Sequence, residues 1–413
     1  MRKYIAMVLL LGILFSFCAC AGDTAPETTP VDTFPYPTIN QKLTWDAIDA
    51  FPVKSADMTP QELRQLCVDF FIFSKTALWI PDQNWEYQKT KKGNTDEMFQ
   101  GVIYGGLPYI GVSSGNVYRL MDYINEDTGV VDMTEPMAAP HLFGNQCSIA
   151  SYWGWARVVN SADFGWTYEM VQNRGFLRVG PYTYDDTQPR FQADIFTTKM
   201  VVEQNGPEIM YQSYAAMQLG DGMIYYTDAG HAMMCSGAPV VVYNEDGTIN
   251  GQQSYLYITD QHGAWAEATN EAGDTYQHKN YVNRKMTFSQ LLLETYIPFT
   301  FGEFLGTDPV EETVCTFNHS GQTISLRQLL VGEVTANYGI SDLYAIVCDA
   351  KGNEVARVVN RASQSGLMTL NFFKLIPTEE WSVYADGNHT VRVVVQLGTG
   401  ERPTVYEGKL TND

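Results

Sequence analysis

Basic side chains are scarce in this sequence. Lys and Arg together number 26 against 47 Asp and Glu, and the formal net charge is −21. No cluster of Lys or Arg residues interrupts this acidic character. Because a chain this acidic repels phosphate groups, the charge argues against nucleic acid as a partner.

Histidine is also scarce, and it is not arranged for metal binding. The sequence has six histidines, with no His-x-x-x-His pair and no paired Cys-x-x-Cys motifs. Zinc sites normally draw their ligands from such short spacings. The sequence therefore predicts no metal site, and nothing in it indicates another cofactor.

Internal repeats are absent, and the one markedly apolar run lies near the N-terminus. The 413 residues are 45% hydrophobic and 13% aromatic, so the chain can bury a large core. A length of this order suggests two or three domains.

The N-terminus has the pattern of an export signal. A basic start is followed by an almost wholly apolar stretch from Tyr4 to Phe17, which is too short to span a membrane comfortably. Ala19 directly before Cys20 resembles a bacterial lipobox. We therefore expect residues 1–19 to be a lipoprotein signal peptide and Cys20 to carry the lipid. The protein would then be anchored at the outer face of a bacterial cell membrane, and an ordinary secreted protein is the alternative.

The rest of the chain divides into three segments. Residues 20–42 contain Thr, Pro, Asp and Glu without apolar periodicity, which predicts a flexible linker. Residues 43–308 mix helical and strand patterns, and we predict an α+β domain with N-terminal helices packed on an antiparallel sheet. Residues 309–413 contain short strands separated by turns, such as the alternating apolar positions between Val391 and Leu397. We predict an all-β sandwich of immunoglobulin-like size there.

Local signals predict several element boundaries within residues 43–308. Thr59-Pro60-Gln61-Glu62 combines a capping box with proline at the first helical position, so a helix should begin at Pro60. A second helix is predicted from Pro207 to Met217. The strand from Tyr255 to Thr259 is predicted to end just before Asp260.

The chain has seven cysteines, of which Cys18 and Cys20 belong to the export signal. The remaining five form an odd number, which outside the cytosol allows two disulfides and one free thiol. Cys147 is our candidate for the free thiol. Cys315 and Cys348 could form a bridge, but five free thiols remain an open alternative.

Cys147 stands where a loop gives way to a segment with helical apolar spacing. A cysteine at a helix N-terminus lies beside unpaired backbone N–H groups and the positive end of the helix dipole. Both favour the thiolate, which is the nucleophilic form.

A cysteine hydrolase also needs a base and a group that orients the base. His231 at the start of one predicted strand and Asp260 at the end of the next are our candidates, because neighbouring antiparallel strands can bring such positions together.

Three motifs in order resemble the papain-like superfamily of cysteine hydrolases. They are Gly144-Asn-Gln-Cys147-Ser, Leu219-Gly-Asp-Gly-Met-Ile-Tyr-Tyr226 and Gly230-His231-Ala-Met-Met. The set is most similar to the bacterial cell-wall branches, the NlpC-like endopeptidases and the CHAP amidases, and it covers roughly residues 100–265. The resemblance implies a papain-like fold, Cys147 as nucleophile, and His231 as general base and acid.

The resemblance leaves the third residue and the oxyanion hole open. Asp260 stands in Thr259-Asp-Gln-His-Gly263, which is similar to the Asn-Ser-Trp-Gly of papain-like peptidases with Asp in place of Asn. Six residues before the nucleophile, where those peptidases have Gln, this chain has His141. Candidate donors to an oxyanion are the Cys147 backbone N–H together with His141, Gln146 or Tyr109.

Three functions follow as hypotheses. The first is an envelope-anchored cysteine hydrolase that cuts amide bonds in peptidoglycan stem peptides by a Cys-His-Asp mechanism. The second is an extracellular papain-like peptidase that acts on proteins or peptides. The third is a catalytically silent surface binding protein. The sequence does not decide the oligomeric state.

Overall fold

The computed structural model describes residues 35–88, 94–111, 114–364 and 366–412. The predicted signal peptide, the lipidation site Cys20 and most of the predicted linker lie outside these residues. Tyr36–Asp413 form one compact unit. Its folded part begins before the predicted start at residue 43, because Ile39 is 2% exposed and Lys42 forms a β-bridge with Leu78. In the described part of the chain, no helix has the length and apolarity needed to cross a membrane.

The helices of residues 36–308 are short, apart from two. In chain order they are α1 (Trp45–Asp49), α2 (Pro60–Thr76), α3 (Val117–Met121), α4 (Thr134–Ala138), α5 (Pro140–Phe143), α6 (Cys147–Trp155), α7 (Thr198–Ala215), α8 (Phe288–Leu293) and α9 (Gly302–Leu305). Single 3₁₀ turns occupy Thr167–Glu169 and Gln172–Arg174.

The strands of the same residues fall into a large sheet and a separate hairpin. They are β1 (Leu78–Pro81), β2 (Trp85–Gln88), β3 (Thr95–Met98), β4 (Tyr104–Gly105), β5 (Ile124–Asn125), β6 (Val130–Val131), β7 (Leu177–Arg178), β8 (Gly222–Tyr226), β9 (Gly230–Val240), β10 (Tyr255–Thr269), β11 (Thr275–Thr287) and β12 (Ile297–Thr300). The large sheet has the order β5-β6-β1-β4-β11-β10-β9-β8-β12-β7 within the described residues, and β2 pairs with β3. Its centre, from β11 to β12, is antiparallel throughout.

Helix α2 begins as its sequence predicts. The Thr59 side chain accepts from the Glu62 N–H, the Glu62 carboxylate accepts from the Thr59 N–H, and Pro60 occupies the first turn. Its apolar residues form a buried face that packs against α6 and against β9. Gly154 on α6 permits the close approach of α2, since an added Cβ there would stand 2.9 Å from Phe71 Cβ.

Several predicted boundaries differ from the structure. Strand β10 does not end before Asp260 but continues to Thr269, because β11 pairs with it as far as Thr269↔Thr275. Helix α7 begins nine residues before the predicted Pro207. Gly206 has a φ of +74°, which breaks the helical path just before that proline, so the sequence signal at Pro207 marks the second of two joined helical pieces.

Residues 309–412, the C-terminal region, are built mainly of strands. The elements are β13 (Cys315–Phe317), β14 (Thr323–Ser325), α10 (Leu326–Val331), β15 (Glu333–Ala336), β16 (Ile340–Cys348), β17 (Glu354–Arg361), β18 (Thr369–Asn371), α11 (Thr378–Trp381), a 3₁₀ turn (Ser382–Tyr384), β19 (Asp386–Leu397) and β20 (Thr404–Thr411). They form sheets of order β14-β20-β19-β16-β17 and β13-β15-β18 in the described residues.

One apolar core connects the two sheets of the C-terminal region. The alternation predicted for β19 is confirmed, because Val391, Val393, Val395 and Leu397 are all fully buried in that core. Each of these residues points to the same face of the strand, as the period of two requires.

A buried ionic network joins the C-terminal region to the rest of the unit. Arg119 on α3 is 0% exposed, and its Nε donates to Asp342 Oδ1 at 2.9 Å. Its Nη2 donates to the carbonyl oxygens of Ser341 and Ala362 at 2.9 and 2.8 Å. Its Nη1 donates to Ser114 Oγ and to the Leu142 carbonyl. All five guanidinium hydrogens therefore have acceptors, as a buried arginine requires.

Candidate active site

Cys147 is the first residue of α6, as its sequence context predicts. The preceding Gln146 has the extended backbone of an N-cap and makes no side-chain cap hydrogen bond. The first-turn N–H groups of such a helix lack intrahelical acceptors. The Cys147 Sγ accepts hydrogen bonds from the Ser148 and Ala232 N–H groups and contacts the His231 ring. The thiol thus lies between the start of α6 and the start of β9.

His231 and Asp260 lie on adjacent antiparallel strands. Asp260 of β10 pairs with Met233 of β9, two residues beyond His231. His231 Nε2 is 2.8 Å from Asp260 Oδ2. Since Nε2 is engaged by the carboxylate, Nδ1 is the ring nitrogen left for the Cys147 thiol. The structure therefore brings the three predicted residues together, although Asp260 lies inside its strand rather than at the end.

The pKa shifts of the thiol and the imidazole favour an ion pair. Burial by itself raises the pKa of Cys147, but attraction to His231 and the hydrogen bonds from His231, Ala232 and Ser148 outweigh burial and lower it. Burial lowers the pKa of His231, and the negative thiolate together with the Asp260 carboxylate outweighs burial and raises it. The two shifts share one cause, because the thiolate and the imidazolium stabilise each other.

Asp260 is held ionised although it is 1% exposed. Burial raises its pKa, but the hydrogen bond and the charge of His231, followed by the charges of Arg284 and His262, lower the pKa below its ordinary value. Asp260 Oδ1 also accepts from the Tyr281 N–H at 3.2 Å. Both carboxylate oxygens are therefore engaged, which fixes the orientation of the carboxylate and of the imidazole that it binds.

The three oxyanion candidates occupy different positions. The Tyr109 hydroxyl is hydrogen-bonded to Cys147, and its pKa is raised by burial and by the nearby thiolate. A neutral phenol that contacts the thiol can donate to an oxygen that develops charge there. Gln146 lies at the N-cap and lines a pocket beside α6. His141 on α5 has an exposed side chain, whereas Cys147 is buried.

Comparison of the chain with protein-family models, with curated proteins and with solved structures gives no match in any of the three. The assignment of roles to these side chains therefore depends on their geometry and on the order of the motifs.

Lys75 is a member of this cluster that the sequence analysis missed. It is 1% exposed at the end of α2, and its Nζ donates to Gln261 Oε1 at 2.8 Å. Burial lowers the pKa of Lys75 to about 7, although the negative charges of Asp260 and Cys147 oppose the shift. A signal was present, because Lys75 follows Phe71 by four residues and so continues the buried face of α2.

Aromatic rings cover the imidazole side of the site. Tyr225 and Tyr296 have ring centroids 6.4 Å from that of His231. The His262 ring stacks on that of Tyr281, with 4.0 Å between the ring centroids. The side chains of His231 and Asp260 are 17% and 2% exposed, and so low an exposure to water strengthens the hydrogen bond between them.

The other described cysteines lack such an environment. All five described cysteines are free thiols, so the bridge considered for Cys315 and Cys348 is not formed. Burial raises the pKa of Cys235 to about 12 and that of Cys315 to about 11. In the described ranges no group of His, Cys, Asp and Glu side chains is arranged to hold a metal ion.

Proposed function

We propose that this chain is a cysteine hydrolase with a papain-like catalytic arrangement, anchored in the cell envelope, that cleaves amide bonds in peptidoglycan stem peptides. The observation that carries the proposal is the continuous contact from the Cys147 thiol through His231 to Asp260, with 2.8 Å between Nε2 and Oδ2. A nucleophile, a base and an orienting carboxylate in contact are what this chemistry needs.

In the proposed mechanism, Cys147 Sγ attacks the carbonyl carbon of the scissile amide. The carbonyl oxygen becomes negative and accepts from the Cys147 backbone N–H and the Tyr109 hydroxyl. His231 then gives its proton to the leaving amine, and the C–N bond breaks to leave a thioester. A water molecule that loses its proton to His231 attacks the thioester, which releases the acid and restores the pair of Cys147 thiolate and His231 imidazolium. Asp260 keeps the imidazole oriented through both steps.

The thiolate is tested by alkylation with iodoacetamide, followed by peptide mass mapping over a range of pH. We expect Cys147 to react at a pH below the range in which Cys315 reacts, and we expect His231→Ala to abolish that difference. Cys315 is the internal control, because it is free and half-buried and its pKa is raised to about 11. Equal pH profiles for the two thiols in the wild type would contradict the proposed ion pair.

The substrate class is tested by incubating the purified chain with bacterial sacculi and, separately, with casein. Release of stem-peptide fragments by the wild type, and not by Cys147→Ala, is the expected result. Cleavage of casein alone would instead support an extracellular peptidase. Cys235→Ala is the matched control, since Cys235 is a fully buried thiol of β9 whose pKa is raised.

Membrane attachment is proposed separately, from the Ala19–Cys20 motif, which lies outside the described residues. Radiolabelled palmitate should enter the wild-type protein in a bacterial host and should not enter Cys20→Ala. Incorporation into neither form would favour the secreted alternative.

A further inference from the structure

A pocket of about 390 Å³ lies beside the N-terminal end of α6, the helix that begins with Cys147. It is lined by Gln146, the residue before Cys147, and by Ile149 in the first turn of α6. Its second wall is the segment from Asp163 to Glu169, which includes Trp166. The pocket is therefore at the same end of α6 as Cys147.

The third wall of the pocket comes from the C-terminal region, through Ser363 and Gln364. These residues directly follow Ala362, whose carbonyl oxygen accepts from Ser114 Oγ and from Arg119 Nη2, both at 2.8 Å. Because Arg119 is fully buried, this anchor is shielded from water. The wall is thus tied to α3 through this buried anchor.

The charged side chains that line the pocket are two carboxylates and one guanidinium. Arg174 Nη1 is 3.2 Å from Glu169 Oε1, and Arg174 also pairs with Asp163. One positive group against two negative groups leaves the pocket with a net negative charge. The Asp163 side chain is 65% exposed, so its carboxylate can accept from a further donor.

The remaining lining also suits a cationic guest. Trp166 is 38% exposed, whereas Trp153 and Trp155 are buried in the core. An exposed indole attracts an ammonium group to its face. The side chains of Gln146 and Gln364 add carbonyl oxygens that accept from an amine. A formal charge of −21 over the whole chain further raises the local concentration of cations.

We propose that this pocket binds an amine-bearing, positively charged side chain of the substrate peptide, and that the C-terminal region serves catalysis as the permanent third wall of this subsite. The proposal rests on the proposed function for its placement beside a scissile amide. It assigns the C-terminal region a role in substrate selection and makes Asp163, Glu169 and Gln364 determinants of specificity.

The test measures binding, so it does not depend on turnover. The peptides are acetylated alanine pentapeptide amides in which one of the five positions is replaced by Lys, norleucine or Glu. Each peptide is titrated into the Cys147→Ala chain and its binding is measured by calorimetry. Norleucine matches the Lys side chain without its charge. At one position we expect Lys to bind about fivefold more tightly than norleucine, which is the upper end for one partly exposed ion pair. Glu should bind more weakly than norleucine at that position.

Variants then locate the effect. Asp163→Asn and, independently, Glu169→Gln should bring the Lys-to-norleucine ratio towards one, and Gln364→Ala should weaken the binding of Lys peptides. The matched control is Asp186→Asn, because Asp186 forms a comparable half-exposed ion pair with Arg178, 3.1 Å long, away from the pocket. This control should leave the ratio unchanged.

The outcomes separate the subsite from the proposed function. Equal binding of Lys and norleucine at every position, or a ratio that survives both carboxylate variants, overturns the subsite even if wild-type protein cleaves peptides. A Lys preference that depends on Asp163, in a chain whose Cys147 proves unreactive, would support the subsite and overturn the hydrolase.

Discussion

Replacement of Arg119 by methionine tests how firmly the C-terminal region is fixed to the nucleophile side of the molecule. The variant keeps an unbranched side chain but removes five hydrogen bonds, among them those to Asp342, Ser341 and Ala362. Loss of one partner from a buried ion pair typically costs about 3–5 kcal/mol, because the other charge stays buried without compensation.

The structure places the expected cost at the lower end of that range. Asp342 would keep Arg361, whose Nη1 is 3.4 Å from its Oδ1, and would keep the Ser341 hydroxyl. We therefore expect Arg119→Met to lower the free energy of unfolding by about 3 kcal/mol. For a unit of about 380 residues, this corresponds to a fall of about 4 °C in the melting temperature.

The assay is urea unfolding followed by fluorescence, with calorimetry as a second measurement. The matched control is Arg402→Met. Arg402 also joins the C-terminal region to the earlier part of the chain, by an ion pair of 2.6 Å with Asp49, but both side chains are more than a third exposed. An exposed pair of this kind should cost less than about 1 kcal/mol.

The double variant Arg119→Met/Asp342→Asn distinguishes the loss of the attraction between Arg119 and Asp342 from the cost of leaving the Asp342 charge buried without its partner. Its loss of unfolding free energy should be smaller than the sum of the losses in the two single variants, because the effects of substitutions at residues in direct contact are not additive. If Arg119→Met costs no more than Arg402→Met, the buried network does not hold the C-terminal region and the reasoning is refuted.

Three further predictions concern the site. The pKa of Cys147 is lowered and that of His231 is raised, so the ion pair should persist at pH values between the two. Activity should therefore fall at low pH, where the thiolate gains a proton, and at high pH, where the imidazolium loses one. A rate that only rises with pH would contradict this. Lys75→Met should move the acid limb of thiol alkylation to higher pH, and the difference from wild type should be largest below pH about 7, where Lys75 is charged; identical profiles would exclude an electrostatic role. Tyr109→Phe should lower kcat about 100-fold with little change in KM, as loss of one oxyanion donor does; an unchanged kcat would remove Tyr109 from the oxyanion hole.

Local chemistry in the sequence was enough to predict part of the site. The capping box at Thr59 and Glu62 fixed the start of α2, because its hydrogen bonds lie within one turn. The change from loop residues to apolar helical spacing placed Cys147 at the start of α6. His231 was predicted at the start of a strand, and β9 begins one residue earlier, at Gly230. Each of these features depends on residues that are close together in the chain.

The features that the sequence did not determine depend on residues far apart in the chain. Asp260 lies inside β10, since β11 pairs with β10 well beyond the point where the alternating pattern weakens. Lys75 is buried beside the site because α2 packs on the strands that carry the imidazole and the carboxylate. Ser363 and Gln364 reach the pocket only through a network anchored more than 200 residues earlier, at Arg119. Pairing and packing of this kind are set by the whole core, so only the tertiary structure could decide them.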